Sequence, residues 1–74
     1  MNLETDLSRH IKMYRKSQGH TQVSLAKLLN VSEHTVHRWE IGQQAPTRNL
    51  LKLTKALNLT RDQTARMITL ADRH

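Results

Sequence analysis

Seventy-four residues allow one domain with a small core, and the absence of cysteine removes disulfides and thiolate metal sites as sources of stability. Twelve Lys and Arg against six Asp and Glu give a formal charge of +6, an excess that attracts polyanions but also fits a plain soluble surface. One Trp and one Tyr with no Phe argue against RNA modules that stack bases on several exposed rings.

Apolar runs such as Leu28-Leu29 and Leu50-Leu51 are far too short for a membrane span, and no secretory signal is visible. The expected location is cytoplasmic, where a chain without cysteine is at home.

One Pro and two Gly punctuate apolar runs of helical period, and nothing alternates long enough to make a strand. The first helix is expected from about Glu4 to Ser17, with Leu7, Ile11 and Tyr14 inward and Gly19 ending it. Thr21 caps a second helix through Leu29, with Leu25, Ala26 and Leu29 inward, and Asn30 suits a left-handed turn. Ser32 caps a third, reaching about Ile41, and Gly42 closes it. Thr47 is expected to cap a fourth helix carrying Leu50, Leu53 and Leu57. Thr60-Arg61-Asp62-Gln63 is a capping-box match for a fifth, about 60–72, with Thr64, Met67, Ile68 and Ala71 on its inward stripe. The chain is thus expected to be a single all-α domain over residues 1–74, a compact body of five helices.

The stretch 21–41 is the most informative. Two short helices are joined by the tight turn Asn30-Val31-Ser32, with the small Ala26 where the helices cross. That arrangement presents one helix to a DNA major groove. At about 100° per residue from Glu33, His37 falls near 40°, His34 near 100° and Arg38 near 140°. Val36 and Trp39 fall on the opposite side, so one face anchors and the other offers polar side chains. A merely solvated face would look similar. The tight turn and the basic charge favour DNA.

The pattern formed by Arg15, Gly19, Thr21-Gln22, Leu25-Ala26, Leu29, Val31-Ser32, Thr35-Val36, Trp39-Glu40, Gly42, Pro46 and Leu53 resembles the phage-repressor-like helix-turn-helix proteins. These are the lambda and 434 repressor and Cro kind, also called the XRE family, and the resemblance runs from about Leu7 to Leu59. It implies a five-helix lambda-repressor-like fold and a regulator of transcription, a repressor binding double-stranded DNA. Ser32, Glu33, His34 and Arg38 would contact bases. Arg38 is suited to fork onto guanine O6 and N7, and Glu33 either accepts from a cytosine amino group or rejects wrong sequences. Gln22, at a helix N-terminus, and Thr35, Arg48 and Asn49 would contact phosphates, as would His37 on the same outward arc. Arg15 and Glu40 match a structural ion pair. Ile41 stands where the family often has a polar phosphate contact, so that contact does not carry over.

One recognition helix reads few base pairs, so a homodimer on a palindromic operator is expected. Leu70, about 110° off the inward stripe of the last helix, is expected in the dimer contact, together with Met67 and Leu59. Other readings of the same fold are an antitoxin with a toxin partner, and an architectural or excision accessory DNA binder. His34 and His37 have a usable ligand spacing but no third ligand nearby, so no metal and no cofactor are expected. His10, His20 and His74 read as surface residues. There is no phosphate loop, nucleophile elbow or His-Glu-x-x-His motif, and no enzyme activity is expected.

Overall fold

The computed structural model describes residues 5–72; Glu4, expected in the first helical turn, and His74 lie outside them. Five α-helices follow one another: α1 Asp6–Ser17, α2 Gln22–Leu29, α3 Glu33–Glu40, α4 Leu50–Ala56 and α5 Arg61–Asp72. No strand occurs among the described residues.

Side-chain oxygens start four of these helices. The Ser32 hydroxyl accepts the Thr35 N–H at the head of α3 (3.1 Å), and Thr60 and Gln63 form the expected reciprocal box before α5. Two further boxes pair Thr5 with Ser8 and Thr21 with Ser24. In both, a serine hydroxyl takes the place of the longer Glu or Gln at the third helical position, a substitution the sequence pattern does not advertise. Each box satisfies two backbone N–H groups that the first helical turn leaves without partners.

Helix ends are local as well. Asn30 adopts the left-handed conformation (φ 56°, ψ 44°) after α2, and Gly19 and Gly42 have φ of 76° and 79°. Asn58, after α4, joins them with φ 53°. A short amide side chain tolerates this region better than other non-glycine residues do.

The entry to α4 departs from expectation. Thr47 does not cap a helix there; Thr47–Asn49 is a 3-10 turn and α4 begins at Leu50. The Asn49 N–H donates to the Pro46 carbonyl at 3.1 Å, so the backbone closes this turn without a side-chain cap.

The core gathers residues from every helix: Leu7, Ile11 and Tyr14, then Leu25, Ala26 and Leu29, then Val36 and Trp39, then Leu53 and Leu57, and finally Met67. Burying a side chain of leucine size stabilises by about 1.5–3 kcal/mol, which makes this cluster the main source of stability in a body of 31 × 26 × 22 Å. The α2–α3 pair has the most extensive contact of any two helices, and Ala26 of α2 is buried. No described helix is long and apolar enough to cross a membrane.

On α5 the inward place of Met67 is as expected, and three expectations are corrected: Met67 as a dimer contact, Ile68 as inward and Leu70 as off the core. Met67 is 0% exposed and sits in the core, so it offers no surface to a second chain. Ile68, expected inward, is 45% exposed, whereas Leu70 packs against the core. The inward arc is centred on Met67. Leu70 lies roughly 60° from Met67 and Ile68 roughly 100°, on the other side. Leu59, before α5, also packs against the core.

Candidate nucleic-acid interface

The turn between α2 and α3 is held by backbone bonds. The Val31 N–H donates to the Ala26 carbonyl at 3.0 Å and the Asn30 N–H to that of Lys27 at 3.2 Å. Val31 then packs on the core, which fixes where the chain re-enters a helix. Helix α3 is anchored by buried Val36 and Trp39 and turns Glu33, His34, His37 and Arg38 to solvent. The four side chains named from helical geometry therefore share one exposed arc. Their charges also suit the helix itself: Glu33 sits in the first turn, and His37 and Arg38 in the last, as the helix dipole favours.

Ser32 and Thr35 lie at the head of this arc and are tied to each other, with hydroxyls 2.8 Å apart. Ser32 thus serves first as a cap, and only part of its hydrogen-bonding capacity faces outward.

Gln22, the first residue of α2, is partly buried and held. Its Nε2 donates to Glu40 Oε1 at 3.2 Å. Glu40, the last residue of α3, is 2% exposed and pairs with Arg15 of α1 through Nε to Oε2 (2.5 Å) and Nη2 to Oε1 (3.0 Å). Arg15 Nη1 further donates to the His20 carbonyl at 2.8 Å. The structural ion pair is present, and it reaches the N-terminal end of α2 through Gln22. Sequence reasoning identified the pair but not this link.

Beyond α3, exposed Arg48 and partly buried Asn49 occupy the 3-10 turn. They line a shallow cleft of about 210 Å³ together with Trp39 and Gln44. The cleft joins the end of α3 to the segment named for phosphate contact, and it adds Gln44 to that region. The Nε1 of Trp39 is buried without a hydrogen-bond partner.

Among the described residues the ion pairs are Asp6–Arg9 and Arg15–Glu40. Lys12, Lys16, Lys27, Arg38, Arg48, Lys52, Lys55, Arg61 and Arg66 are exposed, so most of the basic excess is displayed at the surface. His10 and His20 are partly buried with local partners, the Asp6 carbonyl (2.6 Å) and the Ser24 hydroxyl (3.2 Å). No three His, Asp or Glu side chains among the described residues form a ligand set for a metal.

Residues 6–67 match the model of a family described as a helix-turn-helix domain. Over 52 residues the chain is 44% identical to the HTH-type transcriptional regulator DicA of Escherichia coli (strain K12), which covers 69% of this chain and 38% of that relative. The chain thus spans well under half the length of the relative it matches. No solved structure matches it. With five helices in this order, a tight turn between α2 and α3, and the family match across most of its length, the chain belongs to the phage-repressor-like helix-turn-helix family.

Proposed function

We propose that this domain is a sequence-specific regulator of transcription that binds double-stranded DNA by laying α3 in the major groove. The observation that carries the proposal is the two-sided construction of α3: Val36 and Trp39 fasten it to the core while Glu33, His34, His37 and Arg38 stand exposed in one arc. Arg38 and His34 read base edges, with Glu33 and the remaining hydrogen-bonding capacity of Ser32 beside them. Gln22, Thr35 and His37 meet phosphates on one side, and Arg48 and Asn49 on the other. The relative's name, a transcriptional regulator, supports the same class of activity.

The regulator acts as a repressor and binds a palindromic operator as a homodimer. Its largest extent, 31 Å, is close to the roughly 34 Å that separates two half-sites one helical turn apart, so two copies fit side by side. With Met67 buried and Leu70 and Leu59 packed against the core, Ile68 is the exposed large apolar side chain that α5 offers such a contact. It borders a groove with Leu50, Ala71 and Thr47, next to the DNA-facing turn.

Selection of bound fragments from a random duplex pool tests the proposal. A palindromic consensus is the expected result. Failure to enrich any sequence over input rules out specific readout.

A further inference from the structure

We propose that buried Glu40 is a positioning residue for DNA binding, holding the Gln22 amide in the orientation that meets a phosphate. The proposal rests on the DNA-binding reading above, with Gln22 at the backbone.

The chemistry of the carboxylate decides which way the amide turns. Both oxygens of an ionised carboxyl only accept, so the end of Gln22 that faces Glu40 has to be the NH2 end. One N–H is then committed to Glu40 Oε1, and the second points away from it. A phosphate also only accepts, so this second N–H is the group Gln22 can offer it. A rotated amide would present its oxygen to the phosphate and repel it. Glu40 thereby chooses the useful rotamer.

Arg15 makes a carboxylate tolerable in this place. Its guanidinium engages both Glu40 oxygens, which cancels a charge that would otherwise push a phosphate away. Arg15 also holds the His20 carbonyl, two residues before Gln22, so the backbone that carries the amide is fastened by the same group. The pair needs nothing from Gln22 to be neutral, since Arg15 already reaches both oxygens. The Gln22 bond is therefore an addition to the ion pair, at the surface end where the α2 N-terminus opens to solvent. A glutamine ordered before DNA arrives loses less rotamer freedom on binding than a free one.

The test is a mutant cycle read in binding to a labelled mixed-sequence duplex at low salt, where phosphate contacts dominate. In the native background, Gln22→Ala should weaken binding by roughly fivefold to tenfold. In a folded Arg15→Met, Glu40→Met background, which replaces the pair by apolar side chains of similar size, the same change should cost less than about twofold. Equal losses in both backgrounds overturn the positioning role and leave the phosphate contact standing. No loss in the native background overturns both, as does a native protein that fails to bind the duplex. An independent reading comes from the native protein alone, by NMR of the Gln22 side-chain amide. One N–H should be shifted by Glu40 before DNA is added and stay so afterwards, while the second shifts on binding. Movement of the first N–H on binding, with loss of its Glu40 signature, overturns the proposal.

Discussion

Arg15 and Glu40, 25 positions apart in the chain, form a two-point ion pair that joins α1 to the end of α3. Both side chains are almost wholly buried, so removing one partner leaves the other charged in a poorly solvated place. Glu40→Ala should destabilise by roughly 3–5 kcal/mol, whereas the paired change to Met at both positions should be close to neutral. A domain of this length has on the order of 4–11 kcal/mol in total, so the single change takes a large share. Chemical denaturation of the three proteins checks this. A loss for the pair as large as for Glu40→Ala would mean that packing, not charge, dominates the site.

Asn30 carries the left-handed turn between α2 and α3. Asn30→Gly should change stability by less than about 1 kcal/mol, and Asn30→Val should cost about 1–2 kcal/mol, since a β-branched residue fits that conformation poorly. Thermal unfolding of both variants decides it. Similar melting temperatures for the two would show that the turn relaxes to another conformation.

Arg38 and Arg48 are both exposed cations, but they lie on different elements and should fail differently. Arg38→Ala should cost about 1–3 kcal/mol on the preferred site and relax specificity there. Arg48→Ala should weaken all sequences alike and reduce the salt slope by about one. Titrations of the selected and a scrambled duplex at several salt concentrations separate the two. Uniform weakening by Arg38→Ala would move that residue to the backbone class.

Binding by the unaltered domain should be strongly salt-dependent, because its exposed cations displace counterions from DNA. A dimer that neutralises about six to ten phosphates should lose about 10³ to 10⁵ in affinity between 50 and 200 mM salt. A flat response across that range would remove the electrostatic part of the proposal.

Ile68 and Leu70 are two positions apart on α5, yet one is exposed and the other packs inward. Ile68→Glu should reduce cooperative binding to a two-half-site operator and leave the melting temperature nearly unchanged. Leu70→Ala should instead lower stability by about 1–2 kcal/mol, less than for a fully buried leucine. Analytical ultracentrifugation and operator titration of both variants test the pair. Full cooperativity in the Ile68 variant would place the dimer contact elsewhere.

The features legible in sequence were the ones that local chemistry controls. Ser32, and Thr60 with Gln63, announce helix starts because a short side chain reaches a backbone N–H three residues on. Gly19, Asn30 and Gly42 announce ends because few other residues adopt positive φ. The α3 arc was legible for a similar reason: helical periodicity alone separates Val36 and Trp39 from Glu33, His34, His37 and Arg38.

Tertiary structure decided what depends on groups distant in the chain. Helix α5 has apolar residues at Met67, Ile68, Leu70 and Ala71, enough for more than one inward face, and only its packing against α1 and α4 selects the face centred on Met67. The same holds for Gln22, whose sequence position suggests a free polar side chain at a helix start. Its bond to Glu40 spans 18 residues and exists because crossing α2 over α3 brings the first residue of one helix beside the last of the other. A capping residue carries its partner with it in the chain. A side chain whose partner lies on another helix acquires it only when the helices pack.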